Sequence, residues 1–330
     1  MRFKSNAPTM KDVAREAGVA LGTVSKVFNG IPVGDSYKAR VEEAAAKLGY
    51  QVNVYARGLR SAETRIVALI LPSVNFPFFG ELANQISRCL RMRDYRMLLA
   101  TTDFDPTAEQ TCLTMVQQQK VDGIIGLTYN PEIQVDENIP FVSIDRIFNA
   151  KTPCVACDNF GGGQLAAAQL NRLGCRNLLF IRTGSTIPSE CDKRGPGFEN
   201  YCQINKIPYT SCYKDDADGM EGIYDFLKEH MPEGRLPYDG IFCSTDHLAY
   251  RVRKWLETQG YYAPEDYQLI GFDGTRDFNQ ESLICSTIVQ PVAAMAQTAV
   301  DLLLSKDEKQ PISPLICLPV TYEAGGTTRE

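Results

Sequence analysis

The 330-residue sequence predicts an α/β protein: an N-terminal three-helix head containing a helix-turn-helix, a hinge, and two doubly wound parallel-sheet subdomains behind it. Three observations carry that prediction. Charge is divided unevenly: residues 1–60 hold ten Lys and Arg against five Asp and Glu, a net of +5, and the other 270 hold 24 against 35, a net of −11. Apolar residues recur at helical spacing in three short stretches before residue 50. From residue 65 onward, strand-sized apolar runs alternate with amphipathic stretches, and the alternation occurs twice, which implies parallel sheets with helices on both faces.

The first helix follows Thr9, a candidate N-cap, through MKDVAREA. Val13, Ala14 and Ala17 share its inner face, Asp12 complements the helix dipole, and Gly18 ends it. The second starts after Ala20 and runs through LGTVSKVFN to Gly30, with Val24, Val27 and Phe28 inward. A helix, a turn with glycine and a second helix form the unit whose second helix enters the major groove of DNA. In that placement Leu21, Gly22 and Lys26 reach base edges, and Thr23 and Ser25 bond phosphates. The third helix, from Asp35 to Leu48, turns Val41, Ala44, Ala45 and Leu48 inward and stops at Gly49. A plain αα-hairpin with solvated lysines has the same apolar spacing, so these residues alone leave both readings open. The basic head on an acidic body points to a nucleic-acid contact confined to the head.

In the body, RIVALILP, YRMLLATT, DGIIGL and PFVSID read as one set of strands, with helices over 78–92 and 107–118. RNLLFI, YDGIFC and YQLIGFD form the second set, with helices over 197–205 and 247–259. Ligands of such sheets bind at the carboxyl ends of the strands. The loops there are 73–79, 101–103, Asp145 with Arg146, 183–194, 244–246 and 273–277. A cleft with aromatic faces and a few fixed polar groups suits a small polar molecule such as a sugar. Phe76, Phe78 and Phe79 also fit plain core packing, and Asp145 also fits a loop cap.

Several classes are disfavoured. No apolar run reaches the ~18 residues of a membrane span. The N-terminus has positive charges without an apolar segment after them, which reads as no secretory signal and a cytoplasmic location. The eleven cysteines are odd in number and scattered from Cys89 to Cys317, as reduced, packed thiols would be. The single CxxC, Cys154 and Cys157, has no second pair beside it, so packing is favoured over a zinc or redox site. Gly161 to Gly163 lacks both phosphate-loop spacings and reads as a flexible helix entry. No Ser-His-Asp set, metal-ligand cluster or nucleotide fingerprint is present, so no catalytic residue, metal or cofactor is expected and the chain is read as a non-enzyme.

MKDVAREAGVALGTVSKVFNG, then KLGYQVN, then ARGLR resemble, in order and spacing, the head and hinge of the lactose-repressor/galactose-repressor transcription regulators. The resemblance continues through PSVNFPFFGEL, VDGIIGL, VSIDR, CDNFGGGQLAAAQL, RGPGF, LIGFDG and STIVQP. It implies a hinge in the minor groove, with Asn53, Ala56, Arg57 and Leu59 as contacts and Leu59 as a wedge between base pairs. Two hinges would meet on a near-palindromic operator, so it also implies a homodimer. The tail after Gln310 has no leucine heptad, which favours a dimer over a zipper-held tetramer.

For the body it implies a periplasmic-binding-protein-like pair of subdomains. The boundaries are 1–50 for the head, 51–63 for the hinge and linker, 64–157 with 291–320 for the N-terminal subdomain, and 158–290 with 321–330 for the C-terminal one. The implied effector residues are Ser73, Phe76, Phe78, Phe79, Asp145, Arg146, Arg194, Thr245 and Asp273. Arg194 and Asp273 would clamp adjacent hydroxyls with charge-assisted bonds, a structural ion pair being the alternative. The sequence departs from the family at Ala20, Val52, Gly58, Ser73, Phe76 and Thr245, where serine, proline, serine, aspartate, asparagine and asparagine are usual. The implied function is a ligand-responsive repressor of sugar uptake or catabolism genes. A solute-binding protein without a DNA role, and an effector such as a nucleobase, are the alternatives.

Overall fold

A computed structural model describes residues 8–28, 30–50, 64–128, 130, 132–147, 149, 151–215, 218–305 and 315–329. The chain forms two compact units, Met1–Thr64 and Arg65–Glu330.

In the first unit, α1 (Met10–Ala17) opens on a reciprocal cap. The Thr9 N–H donates to Asp12 Oδ2 at 2.9 Å, and the Asp12 N–H donates to Thr9 Oγ1 at 3.4 Å. The helix ends on Gly18 at φ 60°, in the left-handed conformation glycine adopts without strain, and the Gly18 carbonyl accepts from Arg40 Nη2 at 3.1 Å. Helix α2 (Leu21–Phe28) has an alanine where a capping side chain would sit, and only the Ala20 carbonyl enters its ladder, accepting from the Thr23 and Val24 N–H groups. Helix α3 (Asp35–Leu48) ends on Gly49 at φ 62°. Val13, Val24 and Val41 are wholly buried, with Ala14, Ala17, Ala44 and Ala45 around them. The Phe28 and Tyr50 rings, 5.4 Å apart, close one end.

The second unit contains two six-stranded sheets. Its elements are β1 (Ile66–Leu71), α4 (Pro77–Arg91), β2 (Arg96–Thr101), α5 (Pro106–Gln118), β3 (Gly123–Gly126), β4 (Phe141–Ile144), β5 (Cys154–Cys157), α6 (Asn159–Arg172), β6 (Leu178–Gly184), α7 (Arg194–Asn205), β7 (Tyr209–Asp215), α8 (Gly219–Glu229), β8 (Gly240–Cys243), α9 (Asp246–Thr258), β9 (Gln268–Asp273), β10 (Ser286–Val289), α10 (Val292–Leu304), β11 (Leu315–Leu318) and β12 (Thr321–Glu323). The first sheet runs β11-β5-β4-β3-β1-β2 and the second β12-β10-β9-β8-β6-β7. Every pairing is parallel except β10 with β12. The chain therefore passes between sheets after β5, after β10 and after β11.

Strand β1 explains why the apolar runs are continuous and not alternating. Its residues Val67, Leu69 and Leu71 pack on α4 and α10, and Ile66, Ala68 and Ile70 pack on α5. Two-sided burial demands apolar side chains at every position. In the second sheet Leu178, Phe180, Phe242, Ile270 and Phe272 meet α6 and α7, and Leu179, Ile181, Ile241, Cys243 and Leu269 meet α8 and α9.

Two local expectations are corrected. Gly161 to Gly163 lie inside α6, whose N-cap is the Asp158 carboxylate accepting from the Gly161 N–H at 2.8 Å. They form the helix entry, as read, but are close-packed and not flexible: a Cβ on Gly163 would stand 2.8 Å from the Phe198 nitrogen and 2.9 Å from the Arg194 carbonyl carbon, and one on Gly197 2.9 Å from the Phe160 carbonyl carbon. These glycines let the backbones of α6 and α7 touch. The helix read as 197–205 begins at Arg194, behind a 3-10 turn over Glu190–Lys193. The CxxC cysteines lie three apart on buried β5 and so project from opposite faces, which forbids a shared ion. No helix among the described residues is long and apolar enough to cross a membrane.

Candidate functional site

On α2, Leu21, Gly22 and Lys26 are exposed and Thr23 and Ser25 half-buried. Positions 22 and 26 fall on the side of the helix away from Val24, whose burial fixes its orientation, 25 lies on the flank, and 21, one turn before Val24, lies nearer its face at the exposed start of the helix. No atom lies within 4 Å of where a Gly22 side chain would begin, so the helix presents bare backbone there. The hinge positions Asn53, Ala56, Arg57 and Leu59 lie outside the described residues.

In the body, a cavity of about 520 Å³ opens at the carboxyl ends of the strands of both sheets. Of the anticipated residues, Phe76, Phe78, Phe79, Asp145, Arg146, Arg194, Thr245 and Asp273 line it. Ser73 does not: its Oγ accepts the Asn75 N–H at 3.1 Å and closes a local turn below the wall.

Arg194, the first residue of α7, is held on every side. Its Nε donates to Asn159 Oδ1 at 2.8 Å, its Nη1 donates to the Ser244 carbonyl at 2.5 Å and stands 3.7 Å from Asp273 Oδ1, and the guanidinium lies 3.6 Å above the Phe272 ring. Asp273 ends β9 and accepts from Gln290 Nε2 at 2.8 Å. The ion pair and the cavity-lining position therefore coexist. Burial pushes the Asp273 carboxyl up to about 7; Arg194 opposes the rise and Asp246 adds to it. Asp145, at φ 55° after β4, is pushed by burial to about 6, against the pull of Arg194. Asp145 Oδ1 and Gln290 Oε1 are buried with no hydrogen-bond partner among the described residues. Arg146 donates from Nη1 to the carbonyls of Ile187 and Pro188 and so ties the loop after β6 to β4.

Phe76 is the centre of an aromatic wall. Its ring meets Phe79 at 5.9 Å, Phe104 at 6.1 Å and His247 at 5.3 Å, all edge to face. Thr245 lines the cavity, but its Oγ1 caps α9 by accepting the Leu248 N–H at 3.1 Å.

Sequence reasoning did not single out Gln290, Phe104, His247, Arg182 or Asp246. The last is fully buried below the cavity and accepts from the Gly274 N–H at 2.9 Å, the Thr275 N–H at 2.6 Å and Thr287 Oγ1 at 2.6 Å. It sets the backbone that follows Asp273. In the sequence it is the last residue of the 244–246 loop, with nothing to mark it as buried. The described residues contain no group of three or more His, Cys, Asp and Glu placed to hold a metal ion.

Residues 9–53 match the family model described as bacterial regulatory proteins, lacI family, and residues 167–328 match the periplasmic binding protein-like domain. The helix-turn-helix unit and the two-sheet body thus define a DNA-binding transcription regulator with a periplasmic-binding-protein-like domain. The sucrose operon repressor of Pediococcus pentosaceus is 32% identical over 314 residues, spanning 91% of this chain and 93% of that protein. The ribose operon repressor of Bacillus subtilis (strain 168) is 32% identical over 333 residues, spanning 98% and 99%. The chain belongs to the lacI family of bacterial regulatory proteins. Among solved structures, the Lac repressor dimer bound to operator and the anti-inducer ONPF shares the fold, with a TM-score of 0.81 over 98% of this chain and 100% of that one at 21% identity. A periplasmic binding protein/LacI transcriptional regulator from Alkaliphilus metalliredigens, complexed with D-xylulofuranose, is 26% identical with a TM-score of 0.69, covering 81% and 100%.

Proposed function

We propose that this protein is a cytoplasmic, non-enzymatic repressor of sugar uptake or catabolism genes, whose grip on a near-palindromic operator is set by a small carbohydrate bound in the body. The observation that carries the effector class is the buried Asp145 Oδ1 without a donor, in a cavity that also presents Asp273 and Gln290 Oε1 as acceptors and Arg194 as donor. A buried acceptor left unmade is costly, and vicinal hydroxyls supply both the donors and the acceptor that this set lacks. Phe76 and its aromatic neighbours give the apolar face of a sugar ring its surface. The effector set is thus Phe76, Phe78, Phe79, Asp145, Arg146, Arg194, Thr245 and Asp273, with Gln290 added and Ser73 removed.

On DNA, Leu21, Gly22 and Lys26 meet base edges and Thr23 and Ser25 phosphates, with Asn53, Ala56, Arg57 and Leu59 in the minor groove. Leu21 and Gly22 offer little hydrogen-bonding readout, so specificity rests on Lys26, on paired half-sites and on the hinge. The repressor acts as a homodimer; the edge strand β2 exposes Leu99, with Met92 and Met115 exposed on α4's C-cap and α5, as a face for a second copy. Sugar and operator then change each other's affinity by one common factor, typically about 1–3 kcal/mol.

Selection of duplexes from a random library by the full chain tests this. An inverted repeat should emerge, and its retention should change with the sugar that raises the melting temperature. Enrichment of no sequence, or of a single half-site bound by a monomer, refutes the reading.

A further inference from the structure

We propose that the carbohydrate effector carries an anionic group, a phosphate ester or a carboxylate, received by Arg251 beside His247 in the cavity wall. This rests on the reading of the cavity as a carbohydrate site. The cavity wall holds four arginines, Arg146, Arg182, Arg194 and Arg251, against two carboxylates, Asp145 and Asp273. Its formal charge is therefore +2, within a body whose formal charge is −11 over residues 61–330. A cleft of opposite sign to its surroundings concentrates an anion there.

Three of the four arginines have work inside the fold. Arg194 is taken by Asn159, Ser244 and Asp273, Arg146 by the carbonyls of Ile187 and Pro188, and Arg182 by Asp192. Arg251 is exposed on α9 and has neither an ion pair nor a hydrogen bond among the described residues. It sits four residues after His247, on the same helix face and in the same cavity wall. His247 touches the Phe76 ring, which comes from the other sheet's first loop, so this end of the cavity is where the two lobes meet. A neutral sugar satisfies Asp145 and Asp273 but gives Arg251 no counter-charge. An anionic substituent gives it one, and guanidinium groups match phosphate and carboxylate oxygens with paired charge-assisted bonds.

Titration calorimetry on the full chain tests the inference with matched pairs: ribose and ribose 5-phosphate, glucose and glucose 6-phosphate, glucose and glucuronate, with inorganic phosphate as the minimal probe. The charged member of at least one pair should bind about tenfold or more tightly than its neutral partner. Arg251→Gln should erase that margin while leaving the thermal melt in place, and Lys254→Gln, the same loss of charge on α9 outside the cavity, should keep it. Preference for the phosphate ester over the uronate identifies the phosphate source, and the reverse identifies the acid. Neutral sugars binding as well as charged ones, or a margin that survives Arg251→Gln, overturns the inference and leaves the carbohydrate reading standing. If no sugar of either kind binds while sequence-specific DNA binding persists, the carbohydrate reading falls and the inference with it.

Discussion

Replacing Gly163 by alanine separates the close-approach account of the glycines from the ordinary helical one by the sign of the effect. Gly163 lies inside α6, where alanine is intrinsically favoured over glycine by about 0.8–1.0 kcal/mol, so with open space the substitution stabilises. Here the added methyl meets the Phe198 nitrogen at 2.8 Å and the Arg194 carbonyl carbon at 2.9 Å, against an ordinary separation of about 3.5 Å. Both obstacles are backbone, so α7 must move away by more than roughly 0.6 Å. Overpacking of this kind costs about 1–3 kcal/mol, which outweighs the propensity gain. At about 2–4 °C per kcal/mol for a domain of this size, the body's melting temperature should fall by several degrees. The same movement carries Arg194 away from Asn159 and Ser244, so stabilisation by a ligand bound in the cavity should fall too. Gly80→Ala is the matched control: it too is helical, its methyl would find only the Val74 carbonyl at 3.7 Å, and its melt should hold or rise. Differential scanning calorimetry of the three full-length proteins reads the result. A Gly163→Ala melt equal to or above the parent would refute the close-approach account.

Three further outcomes follow from the geometry. Thr9→Ala removes the α1 cap at a cost of about 1 kcal/mol, so amide exchange over residues 10–17 should quicken roughly fivefold; Thr9 also holds the Asp12 carboxyl below its ordinary range, and NMR titration should show that carboxyl rising once Thr9 is gone. Lys26→Gln should weaken operator binding and reduce the slope of log affinity against log salt by about one if Lys26 meets phosphate, or leave the slope intact while relaxing base preference if it reads a base edge; no change in either measure contradicts its assignment to the groove. Asp145 keeps its proton more tightly folded than unfolded, since its folded value is about 6 and the unfolded one about 3.9. Its share of stability therefore declines as pH rises from about 4 to about 6, and the melting temperature of Asp145→Asn relative to the parent should climb across that window; a flat difference would show that the carboxylate is not desolvated.

The head was legible because everything that specifies it is local. Thr9, Gly18 and Gly49 mark ends whose reasons lie within a turn, and Val13, Val24 and Val41 betray the core through spacing alone. The two-sheet body was legible from β1, β6, β8 and β9, whose two-sided burial leaves continuous apolar runs. What escaped depends on partners distant in the chain. Gly163 and Gly197 are explained only by each other's helices, 34 residues apart. Asp246 reads as a loop residue until Gly274, Thr275 and Thr287 close around it. Ser73 lies in the loop after β1, but its Oγ accepts the Asn75 N–H, a local turn that spacing does not reveal. His247 and Arg251 were hidden because an exposed helix face is the ordinary place for charge, and only the opposing sheet turns that face into a wall.

The order of strands in the first sheet has a consequence for synthesis. Its edge strand β11 comes at residues 315–318, whereas the helical head is complete by about residue 50. At roughly 5–20 residues per second, a ribosome needs on the order of 13 to 54 s to cover that interval. Throughout it the basic head, whose core residues are all its own, is tethered to a body that cannot yet finish its first sheet. The first sheet, and with it the full set of strand ends that surround the cavity, is thus completed by one of the last strands to be made.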